Sequence, residues 1–300
     1  MRWRPSRSIQ VEDRRGQGGL GGLGGGRLGG LGSGGIPIPV GGGLGGIVIF
    51  IIIIVVLNLL GGGGGLNGGL SGGGGGAIQS LDPGDNLGQF VNSVTADVQA
   101  FWEEEFQARG SSYNETVTVL FTDQTQSGCG VASAATGPFY CPVDQKVFLD
   151  GAFFDQLRTR FGAPGEFAEA YVIAHEYGHH VQDELGTMDS VQQRMQTGSN
   201  ANELSIRLEL QADCYAGMWA HSVWAQPDQS NVESITEADI RDAINAAEAV
   251  GDDRIQEQAT GTIDKESWTH GSADQRAKWF NTGFRQGVLG ACDTFAVGSP

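Results

Sequence analysis

Glycine is distributed very unevenly along this chain, and its distribution limits where a folded domain can form. Its 300 residues include 50 glycines, more than twice the usual share of ~7%, and they concentrate between residues 16 and 76. Glycine has no side chain to bury and loses the most conformational freedom on folding, so this region cannot build a packed core. We therefore expect one folded domain at residues 84–300, which is long enough for a single hydrophobic core.

An apolar run, IVIFIIIIVVLNLL, lies inside the glycine-rich region at residues 47–60. As a helix it would cover about 21 Å, less than the ~30 Å hydrocarbon layer of a membrane, so flanking uncharged residues would have to complete a crossing. We predict one transmembrane helix at residues 42–63. The alternatives are a buried core helix, which rarely carries β-branched residues on all sides, and the apolar part of a signal peptide, for which no Ala-x-Ala cleavage pattern follows directly.

Charge is divided unevenly on the two sides of this run. Residues 1–35 hold six Arg against two acidic residues, a net +4, so the remaining residues must carry −21 to reach the total of −17. Residues 61–108 contain no Lys or Arg. By the positive-inside rule we expect a cytoplasmic, basic and glycine-rich tail at 1–41, a flexible linker at 64–83 and a domain outside the cell membrane. The acidic surface of that domain argues against a nucleic-acid partner.

Four cysteines, Cys129, Cys141, Cys214 and Cys292, all fall in the predicted outer domain. An even number in an oxidising compartment favours two disulfides. Among the three possible pairings we prefer Cys129 with Cys141 and Cys214 with Cys292. Binding of zinc by the thiolates is the alternative, although no two cysteines have the two-residue spacing of a zinc ribbon.

Hydrophobic periodicity predicts a mixed α+β domain that is mostly helical. Two short strands, at 116–122 and 146–149, flank a glycine-rich loop that contains the first two cysteines. Six helices are expected, at 85–108, 152–161, 165–185, 200–224, 236–250 and 272–286. The first of them has apolar residues along one face, so we expect it to pack against the core.

The motif HEYGH, which runs from His175 to His179, lies on the helix predicted at 165–185. Residues four apart share a helix face, so the two imidazoles point the same way, about 6 Å apart at Cβ, as two nitrogen ligands of one Zn²⁺ require. Glu176 projects beside them, where a carboxylate can act as a general base toward water.

The residues around this motif indicate a buried site. HExxH also occurs by chance on surface helices, but Tyr171 to Ala174 and Val181 continue an apolar face here. Burying two His and a Glu is costly unless a metal satisfies them. His180 lies about 100° further round the helix, off the ligand face. We interpret it as a residue that either supports the ligands indirectly or faces solvent.

The helix predicted at 200–224 offers Glu209 and Asp213, four residues apart on one face. We predict Glu209 as the third zinc ligand, and Asp213 as the acceptor of a hydrogen bond from a ligand imidazole. Acidic pairs at this spacing also occur on ordinary helices, but apolar neighbours favour a buried site here. Three protein ligands leave one position open for water, as in catalytic zinc sites.

Peptide hydrolysis also needs a hydrogen-bond donor for the developing oxyanion, besides the metal. The candidates are His270, Tyr177 and Tyr215. We favour His270 as a catalytic residue, because it precedes a predicted helix start at Gly271 and Ser272, outside the motif helices. A helix-capping or surface histidine is the alternative at this position.

The chain resembles the bacterial neutral zinc metallopeptidases, a zincin-like family with a single membrane span. Segments spread along the chain carry this resemblance: the opening MRW, VEDRRG at 11–16, GPFYCPVDQKVFLD at 137–150, AHEYGHHVQ at 174–182, LELQADCYAG at 208–217 and THGSADQRAKWF at 269–280. It implies one Zn²⁺ per chain at His175, His179 and Glu209, with Glu176 as the base. It also implies an edge strand at Val147–Leu149 that would hold an extended peptide by backbone pairing.

We therefore predict a membrane-anchored zinc peptidase that acts on a peptide or protein substrate. One alternative is a zinc-stabilised, membrane-tethered interaction module without turnover, although such a module has no use for Glu176 beside its ligands. A second is a soluble secreted protease released by cleavage after the apolar run.

Overall fold

The computed structural model describes residues 1–16, 81–133, 136–159, 162–198, 200–226 and 231–300. Within these ranges the helices are α1 (Asn86–Ala108), α2 (Gly151–Thr159), α3 (Glu166–Glu184), α4 (Thr187–Gln196), α5 (Ala201–Ala225), α6 (Glu237–Ala249), α7 (Asp252–Thr260) and α8 (Ala273–Gln286). The strands are β1 (Arg2–Trp3), β2 (Val11–Asp13), β3 (Thr118–Phe121), β4 (Gln124–Ser127), β5 (Gly130–Ser133), β6 (Phe139–Cys141), β7 (Lys146–Asp150) and β8 (Val232–Ser234). The domain is α+β and mostly helical, as predicted.

Helices α3, α5 and α8 form the centre of the domain, with α5 packed along α8 and against α3. Glycines allow the helix backbones to approach closely. A Cβ atom on Gly178 would lie 3.0 Å from the Cα of Ala212, so α3 and α5 touch within the HEYGH motif. A side chain on Gly283 would collide with the carbonyl of Cys214. These contacts bring the motif helix beside the helix that carries Glu209.

A four-stranded sheet packs beside these helices in the order β2, β3, β7, β6. Strands β2, β3 and β7 are parallel, and β6 is antiparallel to β7. The predicted edge strand at Val147–Leu149 is therefore wrong, because it belongs to β7 and lies between two neighbours. The strand at this edge of the sheet is β6.

Residues 1–16 belong to the same folded unit as the described residues that follow residue 80. Strand β2 pairs with β3, and the buried amide of Asn92 in α1 accepts a hydrogen bond from the backbone N–H of Gln10, 2.8 Å away. The Glu12 carboxylate forms ion pairs with Nε of Arg14 at 2.8 Å and with Nζ of Lys146 at 2.9 Å. The predicted separate tail at 1–41 is thus wrong for residues 1–16, because its charges pair with the domain and Val11 enters the core.

The transmembrane helix predicted at 42–63 and most of the linker predicted at 64–83 lie outside the described residues. Among the helices of the described ranges, none combines the length and the apolar character that a membrane crossing requires.

Two disulfides are present in the pairing that we preferred from the sequence. Cys129, in the turn between β4 and β5, is bonded to Cys141 at the end of β6. Cys214 in α5 is bonded to Cys292 in a short 3₁₀ segment, Leu289–Cys292, near the end of the chain. The second bond ties the C-terminal segment to the helix that carries Glu209.

Candidate metal centre

Two helices bring the three predicted ligands together. His175 and His179 project from α3 and Glu209 from α5, and ligand atoms of all three lie within 4.8 Å of one another. The Nε2 atom of His175 is 3.3 Å from one carboxylate oxygen of Glu209, and Nε2 of His179 is 3.4 Å from the other. Both imidazoles therefore face one carboxylate across a space that a single ion can share.

A buried network orients the His175 ring. Its Nδ1 lies 2.9 Å from Oδ1 of Asp213, which also accepts a hydrogen bond from the Tyr171 hydroxyl at 2.5 Å. Arg276 donates to both carboxylate oxygens of Asp213, at 2.8 and 2.9 Å. The network holds the hydrogen on Nδ1 and leaves Nε2 facing Glu209, so Asp213 has the place predicted for it.

Burial and charge shift the pKa values of this cluster in opposite directions. Burial raises the pKa of Glu176, and the neighbouring His175 and His179 offset only part of that effect. Burial would also raise the pKa of Glu209, but His270 and the two ligand imidazoles hold it well below its usual range. Burial lowers the pKa of His175, yet Asp213 and Glu209 outweigh it and raise this pKa to about 9. The centre is arranged to attract positive charge.

The donor set fits a Zn²⁺ ion. Two imidazoles and one carboxylate are the ligands of many catalytic zinc sites, which keep a further position for water or substrate. In this structure the Nδ1 atoms of His175 and His179 lie 2.9 Å from side-chain oxygens, of Asp213 and Gln182 respectively. Both Nε2 atoms are thereby available to a metal.

His270 lines the same cleft as the ligand residues and is buried. The loop that carries it is held by Asp252, one carboxylate oxygen of which accepts the backbone N–H groups of Thr269, His270 and Gly271 at 2.6, 2.7 and 3.0 Å. Gly271 has a φ of +89°, a conformation that favours glycine. This loop places His270, the predicted oxyanion donor, in the same cleft as His175, His179 and Glu209.

The other two candidate donors are elsewhere. The hydroxyl of Tyr177 lies 2.9 Å from Oγ1 of Thr118 in the core, and the ring of Tyr215 packs on Trp102 with centroids 5.2 Å apart. Neither contributes to the cleft lining within the described ranges.

His180 is buried, so the expectation that it could face solvent is wrong. Its Nε2 donates to the backbone carbonyl of Asn114 at 2.8 Å, and its Nδ1 lies 3.1 Å from the Tyr140 hydroxyl. The side chain thus joins α3 to β6 and to the segment before β3. It supports the position of the motif helix and is not one of the candidate ligands.

The cleft above the ligands has a volume of about 530 Å³. Strand β6 forms one side through Phe139 and Tyr140, and α4 forms another through Met188, Val191 and Met195. Apolar groups make up most of the lining. Such a cleft can hold an extended chain with apolar side chains next to the ligands.

Arg276 is a site residue that we did not predict. It is buried, lines the cleft and binds Asp213. A signal for it exists in the sequence, because Ala273, Arg276, Ala277 and Phe280 share one helix face behind a capping box at Ser272. An arginine on an apolar face indicates a buried partner of opposite charge.

A family model described as "Putative neutral zinc metallopeptidase" matches residues 1–295 of the chain. The chain belongs to this family. The match begins at the N-terminal strands and extends beyond α8, so it includes every element that supplies the metal centre.

Curated relatives extend this finding. Uncharacterized protein YpfJ of Escherichia coli K12 is 38% identical over 299 residues, which cover 98% of this chain and 99% of the relative. Uncharacterized protein Rv2575 of Mycobacterium tuberculosis H37Rv is 45% identical over 231 residues, which cover 72% of this chain and 77% of the relative. No solved structure gives a significant match.

Proposed function

We propose that this member of the family is a zinc-dependent peptidase with a zincin-like arrangement of its site. The observation that carries the proposal is the position of Glu176. This buried carboxylate lines one cleft together with His175, His179 and Glu209. A site that served only to stabilise the fold would need no base next to its ligands.

Different residues of the cleft have different roles in the proposed hydrolysis. Bound Zn²⁺ would supply a Lewis acid that polarises the peptide carbonyl and lowers the pKa of water. Glu176 takes a proton from the attacking water and passes it to the leaving amine. His270, held by the Asp252 loop, donates a hydrogen bond to the developing oxyanion.

The position of β6 supports a peptide as the substrate. This strand pairs with β7 on one side and borders the cleft, where Phe139 and Tyr140 are part of the lining. An extended peptide can add to such an edge by backbone hydrogen bonds. In this proposal β6 takes the role that the family resemblance implied for Val147–Leu149.

Substitution of Glu176 by Gln tests the mechanism. We expect Glu176→Gln to keep its zinc content and its thermal unfolding temperature, because Glu176 is not a ligand, while cleavage of a peptide library falls at least 10²-fold for loss of the general base. Glu209→Ala should lose the metal. Glu166→Gln is the matched control, since it makes the same change at an exposed position of α3.

Two results would contradict the proposal. Cleavage by Glu176→Gln at the parental rate would exclude Glu176 as the base. Zinc bound by the parent without cleavage of any library peptide would instead support the zinc-stabilised interaction module.

A further inference from the structure

We infer that Gln182 is a positioning residue of the metal centre, which fixes the ring of His179 and joins the motif helix to the helix of the third ligand. Gln182 is fully buried in α3, three residues after His179 and on the same face. Its two amide ends bind two different helices. The inference rests on the zinc site of the proposed function but not on turnover.

The hydrogen bonds of Gln182 can be assigned a direction. Its Nε2 lies 2.7 Å from the backbone carbonyl of Leu208, and a carbonyl oxygen only accepts, so this end must be the NH₂ group. The other end, Oε1, then faces Nδ1 of His179 at 2.9 Å. Since Oε1 only accepts, the hydrogen of the neutral ring is on Nδ1. Nε2, which lies 3.4 Å from a carboxylate oxygen of Glu209, is then the ring nitrogen left for a metal.

A second glutamine extends the chain of hydrogen bonds to the C-terminal segment. Gln182 also donates to Oε1 of Gln211 at 3.1 Å, and Nε2 of Gln211 donates to the backbone carbonyl of Cys292 at 3.1 Å. Cys292 is held in place by its disulfide to Cys214. Backbone carbonyls accept at both ends of this series of hydrogen bonds. Neither glutamine can therefore exchange the positions of its amide oxygen and nitrogen without losing a bond.

Leu208 places this contact next to the metal. It precedes Glu209 in α5, so the bond from Gln182 connects His179 with the backbone adjacent to the third ligand. Movement of α3 relative to α5 would break the bond to Leu208. Gln182 therefore controls both the rotation of one ligand and its distance from another.

The two ligand imidazoles are oriented by groups of different charge. An ionised carboxylate, Asp213, accepts from His175, whereas a neutral amide accepts from His179. Glu176, Glu209 and Asp213 already place three carboxylates in this buried region, with Arg276 as the nearby guanidinium. A neutral acceptor orients His179 without adding a fourth negative charge that would have to be desolvated.

The test replaces Gln182 by Met, which has similar volume and makes neither hydrogen bond. We expect Gln182→Met to weaken zinc binding by about 10- to 100-fold, the range for lost partners of metal ligands. The affinity is measured by competition with a chelator. Gln193→Met on the exposed face of α4 is the matched control and should bind zinc as the parent does.

A second measurement is made on the zinc-loaded protein. Nitrogen NMR should show a slowly exchanging hydrogen on Nδ1 of His179 in the parent, and faster exchange of that hydrogen in Gln182→Met, which has no acceptor for it. Parental affinity together with parental exchange of this hydrogen in the variant would overturn the inference. If Gln182→Met does not fold, Gln211→Met decides in its place: weaker zinc binding is expected, and parental affinity with unchanged exchange would overturn the inference.

Zinc affinity and the NMR signal of His179 can both be measured whether or not the protein cleaves peptides. Glu176→Gln should keep parental zinc affinity and the slowly exchanging hydrogen on Nδ1 of His179, even though it loses cleavage. A parent that bound zinc but cleaved nothing would defeat the peptidase proposal and leave both measurements on Gln182 valid.

Discussion

Asp150 has fewer hydrogen-bond partners than three other buried aspartates of the domain. Asp97, Asp213 and Asp252 each accept several hydrogen bonds. Asp150 is fully buried, and although one of its oxygens accepts from the backbone N–H of Ala152, the other has no hydrogen-bond partner within the described ranges. Burial raises the pKa of Asp150 above 3.8, so its ionised form destabilises the fold.

Asp150→Asn should therefore stabilise the protein at neutral pH. Because the folded-state pKa is raised, the contribution of Asp150 to stability is present below the unfolded pKa and is lost as pH rises through the folded value. We expect the variant to unfold at a higher temperature than the parent at pH 7, and the difference to vanish below about pH 4. Thermal unfolding of metal-free protein at both pH values measures this.

The control for Asp150→Asn is Asp274→Asn, at an exposed position in the first turn of α8. It should change stability by only a few tenths of a kcal/mol, about the contribution of one exposed charge at a helix end. An Asp150→Asn protein that is less stable than the parent at pH 7 would contradict the destabilising effect assigned to the ionised carboxylate.

At the same scale, spacing along single helices predicted His175, Glu176, His179, Glu209 and Asp213, and the structure brings them together. These residues are recognisable because four-residue steps place side chains on one helix face. Gln182 and Arg276 were missed, since their roles depend on partners in other elements. A buried amide or guanidinium has a recognisable function only when its acceptors are known.

The positions of six helices were predictable because each of these six has an apolar face and most have a local end signal. The six predicted helices occur within two residues of their predicted ends, and capping boxes begin α6 and α8. Helices α4 and α7 are polar over most of their surface, and in α4 only Met188, Val191 and Met195 form a narrow apolar stripe. Most strands were missed because each is only two to five residues long and pairs with residues far away in sequence.

The two disulfides join elements over very different lengths of chain, so we expect unequal effects on stability. Cys129 and Cys141 are separated by 12 residues, whereas Cys214 and Cys292 are separated by 78. Loop entropy gives about 3 kcal/mol for the short loop and about 4 to 5 kcal/mol for the long one.

Replacing Cys214 and Cys292 together by Ala should thus cost more free energy of unfolding than replacing Cys129 and Cys141. Denaturant unfolding of both double variants measures the difference, and each serves as the control for the other. Equal losses, or a larger loss from the short loop, would argue against an entropic origin of the stabilisation.

The packing of residues 1–16 limits which parts of the protein can lie on opposite sides of a membrane. Residues 17–80 connect two parts of one folded unit, and Arg15 and Asp85 on either side of them are hydrogen bonded at 3.1 Å. A single crossing at 42–63 would place the two parts on opposite sides of the bilayer. That arrangement and the pairing of β2 with β3 exclude each other.

We expect residues 1–16 and the metal centre to lie on the same side of any membrane. Because all four cysteines form disulfides, an introduced cysteine would be the only free thiol. Arg7→Cys and Glu257→Cys place one at exposed positions of the two parts. In intact cells, a membrane-impermeant thiol reagent should label both variants or neither, and both should react after lysis. Labelling of only one variant before lysis would contradict this arrangement.

The pairing of β2 with β3 also sets an order of events during synthesis. β2 leaves the ribosome first, but its partner β3 begins more than 100 residues later, at Thr118. The apolar run at 47–60 emerges in the interval, before the sheet can form. Any factor that binds this apolar run on the nascent chain therefore does so while β2 is still unpaired. The candidate ligands and the groups that orient them are all present only after Arg276 has been translated.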